Sequence, residues 1–173
     1  VLIKSVINAV SLIHMNKVVH SDLKFDNILI KKTKSGLLTT KIIDFDGSYI
    51  EHIPHPTNYL HFDQSYMAPE LSLYNQKHNS IKSKDLTTKA DIFSLGVVIH
   101  EYCTGKRPVV KDVKKDEIVY LGDAVNQDAE IVLNEKILGD QLSKIIKTTL
   151  HRDYKMRPTA LDLFKEINNA HID

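Results

Sequence analysis

His20-Ser21-Asp22-Leu23-Lys24-Phe25-Asp26-Asn27 gathers a carboxylate, an ammonium and a carboxamide in one short polar stretch, and the apolar run Ile28-Leu29-Ile30 follows at once. That pattern predicts a loop feeding a strand. Asp22, Lys24 and Asn27 are spaced so that the loop can aim all three at one phosphate-and-metal centre, with Leu23 and Phe25 facing inward to fix it. A second acidic cluster, Asp44-Phe45-Asp46-Gly47, leaves the next apolar run, Lys41-Ile42-Ile43.

These groups need elements to hold them. Leu2, Ile3, Val6, Ile7, Val10 and Ile13 recur at helical spacing, which predicts an amphipathic helix over residues 1 to about 15 whose apolar stripe needs a partner. Val18-Val19 is a short strand entering the polar loop. Ile28–Ile30 and Lys41–Ile43 form the arms of a hairpin, joined by a polar turn from Lys31 to Thr40 around Gly36. Residues 48–65 have no sustained period, and with Pro54, Pro56 and three histidines they predict a long functional loop that closes on Tyr66-Met67-Ala68-Pro69-Glu70. Thr87 or Thr88 caps a helix over Lys89–Cys103 that stops before Gly105 and Pro108. Its residues Ile92, Phe93, Leu95, Val97, Val98 and Ile99 leave little polar face, so it is central and buried. Residues 106–135 carry no clear pattern. Leu138–Leu150 and Thr159–Ile167 are two more amphipathic helices, with Leu142, Ile145, Ile146 and Leu150, then Leu161, Leu163, Phe164 and Ile167, as inward faces.

Composition bounds the rest. A chain of 173 residues, 42% hydrophobic and 26% charged, is globular and long enough to bury a core as one compact domain. Its net charge of +1 gives no field that would draw nucleic acid or an anionic membrane, and no stretch reaches the length of a membrane span. The single Cys103 excludes an internal disulfide and fits a reducing compartment, cytosolic or nuclear; in its apolar helix it reads as an inert core thiol. Lys4, Ser5, Asn8, Ser11 and His14 break the opening apolar run, so it is no secretory signal. The chain starts at Val1, inside a helix, as a piece of something longer. His52, His55 and His61 lack zinc-ligand spacing, and Lys111, Lys114 and Lys115 read as a solvated face.

The ordered set resembles the protein kinase family. His20-Ser21-Asp22-Leu23-Lys24-(x2)-Asn27 is similar to its catalytic loop (20–27), Asp44-Phe45-Asp46 to its metal-binding Asp-Phe-Gly, and Ala68-Pro69-Glu70 to the end of its activation segment (44–70). Asp91-Ile92-Phe93-Ser94-Leu95-Gly96 resembles the start of its central helix (about 88–103), and Arg157-Pro158-Thr159 its late arginine motif. The resemblance implies a mainly helical C-terminal lobe with a small β-hairpin at the catalytic loop, the N-terminal lobe with its Gly-rich loop and strand lysine lying outside this sequence. It implies ATP-dependent, Mg²⁺-assisted phosphorylation of Ser or Thr in a protein substrate. Asp22 would orient the acceptor hydroxyl and Lys24 neutralise the moving phosphoryl. Lys24, Asn27 and Asp44 would face ATP, with Asn27 and Asp44 on Mg²⁺. Glu70 and Arg157 would form a buried structural ion pair, and Asp91 would brace the catalytic loop.

Three departures stand out. Ser21 replaces the arginine that in many relatives binds a phosphorylated activation loop, a non-RD pattern that removes the cation for phosphate-driven ordering. Asp46 replaces glycine, taking away backbone freedom and adding a carboxylate near the metal. Asp63 stands where a threonine usually touches the catalytic Asp and Lys, so two carboxylates would repel unless Lys24 or a metal separates them. These departures define an alternative, a pseudokinase scaffold. Ile43-Asp44-Phe45-Asp46 also resembles small-molecule phosphotransferases of the aminoglycoside or choline type, whereas Lys24, Tyr66–Glu70 and Arg157-Pro158-Thr159 argue for the protein-kinase side.

Overall fold

The computed structural model describes residues 2–53, 62–112 and 119–170. Six α-helices and three separate two-stranded antiparallel sheets are found among the described residues. The helices are α1 (Leu2–Met15), α2 (Pro69–Asn75), α3 (Lys89–Thr104), α4 (Leu121–Asn126), α5 (Glu135–Thr149) and α6 (Ala160–Asn169). The strands are β1 (Val18–Val19), β2 (Ile28–Lys32), β3 (Leu38–Ile42), β4 (Tyr49–Ile50), β5 (Val109–Val110) and β6 (Ile131–Val132), paired β1 with β4, β2 with β3 and β5 with β6. The architecture is mainly helical with a small hairpin after the polar loop, as expected.

Helix α3 is the axis of the molecule. Ile92, Phe93, Leu95 and Val97 are fully buried in it, and Ala90 to His100 have no exposed residue. Its seat against α5 is close because Gly96 has no side chain: a Cβ there would overlap the Thr149 hydroxyl. Gly105 ends the helix in the left-handed conformation, φ 73°, which glycine adopts without steric cost. At the other end, Thr88 makes no side-chain cap. The Thr87 hydroxyl is the nearer fit to the expected cap, accepting from the Lys89 N–H at 3.4 Å. The stripe of α1, Ile3, Val6, Ile7 and Val10, finds its partners in α6 and β3.

Several expectations need correcting. The hairpin arms are longer than the apolar runs, reaching Lys32 and starting again at Leu38, so the turn is 33–37 rather than Lys31 to Thr40. Backbone pairing extends through Lys31 and Thr39, whose side chains lie in solvent and leave no apolar signature. Phe25 does not face inward: it is 46% exposed, tilted against the Tyr102 ring, and Leu23 alone is buried below the loop. Leu161 is likewise exposed, with Leu163 and Ile167 carrying the inner face of α6. The stretch 48–65 contains β4, and the uncharacterised stretch 106–135 contains β5, α4 and β6. Helix α5 begins at Glu135, before the expected Leu138, and is broken at Gly139, φ 71°. His55, His61, Lys114 and Lys115 lie outside the described residues. No described helix is long and apolar enough to cross a membrane.

Helix α3 also carries an acid-sensitive joint. His100 is buried; its Nδ1–H donates to the Lys106 carbonyl at 2.7 Å, and its Nε2 accepts from the Asn134 N–H at 3.1 Å. The acceptor role demands the neutral ring, and burial holds its pKa below the ordinary histidine value. Since the folded pKa is the depressed one, the unfolded chain binds more protons below about pH 6.5, and stability falls as pH drops through that window. Protonation strands the Asn134 N–H against a second donor, a loss of about 1–3 kcal/mol. Urea melts between pH 7.5 and 5 should show this decline, and His100→Gln should flatten that part of the slope. An unchanged slope would mean that the ring does not titrate with folding.

Candidate active site

The polar loop is assembled from below by α3. Asp91, 1% exposed, accepts the His20 N–H at Oδ2 (2.8 Å) and the Ser21 N–H at Oδ1 (2.9 Å). His14, from the end of α1, donates Nε2–H to the same Oδ2 at 2.8 Å. A buried carboxylate requires such partners, and here they fix two successive loop amides to the central helix. Asp91 braces the loop as the resemblance implied; the part of His14 has no signal in the sequence, because nothing local ties it to a residue 77 positions away.

Above this brace, Asp22, Lys24 and Asn27 meet. Lys24 Nζ lies 2.8 Å from Asp22 Oδ2. Asn27 Nδ2 donates to the Asp22 backbone carbonyl (2.9 Å) and to its Oδ2 (3.2 Å), so the amide oxygen of Asn27 points to the other side. The hydrogen bond to Asp22 is the main reason the Lys24 pKa is raised, with Asp22, Asp63 and Asp44 adding attraction. Lys24 is therefore firmly cationic at neutral pH, paired with Asp22 and attracted from further off by Asp63 and Asp44.

Asp44 joins them through the hairpin. Pairing of Ile28 with Ile42 sets the two strand ends side by side, and the Ile43 N–H donates to the Asn27 carbonyl at 3.0 Å. The next residue is Asp44, at φ 67°. A non-glycine residue with positive φ is uncommon, and aspartate tolerates it better than most. Asp46 shows no such conformation among the described backbone, so replacing glycine there imposes no left-handed strain.

At Asp63 the exception to repulsion applies, since Lys24 is attracted by both Asp22 and Asp63. The Asp63 backbone N–H, rather than its carboxylate, meets Asp22, donating to Oδ1 at 2.8 Å, while its own Oδ1 accepts from the Ser65 N–H at 2.9 Å. The main chain thus supplies a donor at the position where related kinases usually carry a threonine hydroxyl. Beyond it, Tyr66 and Met67 are buried; the Tyr66 hydroxyl donates to Glu101 at 2.5 Å, and its carbonyl accepts from Ser94 at 2.8 Å. Glu70 and Arg157 close the segment as a two-pronged buried pair, 2.7 and 2.8 Å.

Donor chemistry can be tested against Mg²⁺. Asn27 and Asp44 offer oxygen, which this hard cation prefers, and no described group of three or more His, Cys, Asp or Glu could hold a metal alone. Two protein oxygens suit an ion that keeps waters and shares its shell with substrate phosphates. The fit is good.

The protein kinase domain family model matches residues 1–167. Mitogen-activated protein kinase kinase kinase 8 of Rattus norvegicus is 30% identical over 167 residues, covering 94% of this chain and 32% of the relative. Mitogen-activated protein kinase kinase kinase 13-A of Xenopus laevis is 27% identical over 163 residues, covering 93% and 15%. Dual specificity tyrosine-phosphorylation-regulated kinase 3 of Macaca fascicularis is 34% identical over 103 residues, covering 60% and 16%. The chain thus spans about a third or less of these relatives.

Proposed function

Since the chain belongs to the protein kinase domain family, we propose that it is the C-terminal lobe of a kinase that moves the γ-phosphoryl group of ATP to Ser or Thr hydroxyls of a protein substrate. The observation that carries this reading is the contact set of Asp22 with Lys24, Asn27 and the Asp63 N–H, with Asp44 next to Asn27 across the hairpin end. It supports a working constellation over a scaffold whose chemistry has decayed.

Asp22 receives or orients the proton of the acceptor hydroxyl, its carboxylate aimed by Asn27 and the Asp63 amide. Lys24 supplies fixed positive charge beside it. Asn27 and Asp44 would hold Mg²⁺, which would supply positive charge to neutralise the nucleotide phosphates. The activation segment, 44–70, ends on the Tyr66–Glu70 shelf, where buried anchoring supports a docked peptide. Lys24 favours Ser and Thr as acceptors. The nucleotide cleft is completed by a further lobe of the same protein, and a free thiol at Cys103 suits a cytoplasmic or nuclear setting.

The test is transfer of labelled phosphate from Mg-ATP to a mixed peptide library by the protein with its complete nucleotide-binding half, followed by phosphoamino-acid analysis. Label on serine and threonine is expected. Label on tyrosine alone would overturn the acceptor class, and label on free amino sugars or choline alone would overturn the protein substrate.

A further inference from the structure

Ser21, noted in the sequence only for the arginine it is not, makes a specific contact. The residue is 3% exposed, and its hydroxyl donates to the Gly47 carbonyl at 2.8 Å. Its backbone is left-handed, φ 68°, and its N–H is fixed to Asp91. A serine in that conformation is uncommon, so the surrounding bonds hold it there. The preceding residue grips the other end of the same turn: His20 Nε2–H donates to the Ile43 carbonyl at 2.9 Å, and its ring stands edge-on to Phe45 with centroids 4.8 Å apart.

Asp44 therefore sits between two anchored carbonyls, Ile43 before it and Gly47 after it, and both anchors come from adjacent loop residues bolted to α3. We propose that Ser21 is a positioning residue: its hydroxyl latches the turn 44–47 to the catalytic loop and holds Asp44 in place through a neutral bond, with no phosphate needed. The value of that placement for metal binding rests on the function proposed above, whereas the latch itself does not. The chain beyond the turn is secured in the same neutral way. Ser48 N–H donates to the Phe45 carbonyl (2.9 Å), β4 pairs with β1, and the Glu51 N–H donates to the Lys17 carbonyl (2.8 Å).

Hydrogen–deuterium exchange on the purified, unphosphorylated protein tests the latch without any turnover. In the wild type, the amides of Ser48, Tyr49 and Glu51, which the turn and the β1–β4 ladder bond, should be protected. Ser21→Ala and Ser21→Gly both delete the hydroxyl and leave the Gly47 carbonyl without its donor, so these amides should exchange roughly tenfold faster. Amides in the middle of α3 should be unchanged. Ser21→Gly also relieves the left-handed backbone, so faster local exchange in that variant cannot be assigned to general loss of stability, and it serves if Ser21→Ala fails to fold. Unprotected wild-type amides at Ser48, Tyr49 and Glu51 would overturn the proposal, as would unchanged exchange in Ser21→Gly or an equal rise throughout α3. An intact latch in a protein that transfers no phosphate would leave this inference standing and remove the functional reading alone.

Discussion

Asp22→Asn is expected to cut phosphoryl transfer to peptide by about 10²–10⁴, the usual worth of a positioned proton acceptor, in the protein with its nucleotide-binding half present. The substitution keeps size and shape but removes the charge that Lys24 pairs with at 2.8 Å, and turns an acceptor facing the Asn27 amide into a possible donor. Asp22 is a loop residue on the surface side of Leu23, so the fold should persist. The melting midpoint should move little while kcat collapses. The sharper comparison is with Lys24→Ala, which removes the neutralising cation but leaves the acceptor and should cost less. If Asp22→Asn left the rate within a factor of two, the loop would be a scaffold feature and the catalytic reading of this chain would fail.

Breaking the buried pair should have the largest effect on stability. Glu70→Ala leaves Arg157, 1% exposed, without its carboxylate, at a cost of about 3–5 kcal/mol. That is a large share of the roughly 5–15 kcal/mol that holds a domain together. Arg157 is more than one half of a pair. It also donates to the carbonyls of His151 (2.8 Å), Lys89 (2.8 Å) and Arg152 (3.3 Å), and stands over the Phe93 ring at 5.1 Å. Arg157→Met should therefore be the more damaging single change, since it strands the Glu70 carboxylate and takes a donor from the His151, Lys89 and Arg152 carbonyls. The double variant Glu70→Leu/Arg157→Met should recover part of the loss, because no charge is then left buried alone. Urea unfolding of the three variants checks the order. Equal stability of Glu70→Ala and wild type would show that water or another cation satisfies Arg157.

Local elements follow from the order of the residues alone. Alternation and periodicity found α1, the hairpin, α3 and the last two helices, because each buries an apolar face whose spacing follows directly from backbone geometry. Phe25 and Leu161 were misplaced because a hydrophobic side chain is free to remain outside: burial is decided by what packs against it. Helix α4 and strands β4 to β6 escaped notice because six residues, or two, hold too few periods to carry a signal.

Asp22, Lys24, Asn27 and Asp44 were legible as candidates from residue type and spacing, but their meeting was not. It required the hairpin register that puts Ile43 on Asn27, and the Asp91 brace that joins α3 to the loop. How the departures are accommodated depends on contacts between residues far apart in the chain. Asp63 serves Asp22 through its backbone N–H, which every residue except proline carries, so side-chain identity alone does not reveal that contact. Ser21 was legible as a missing charge; that its hydroxyl reaches Gly47 depends on a left-handed backbone and on contacts across 26 residues, which spacing along a chain does not encode.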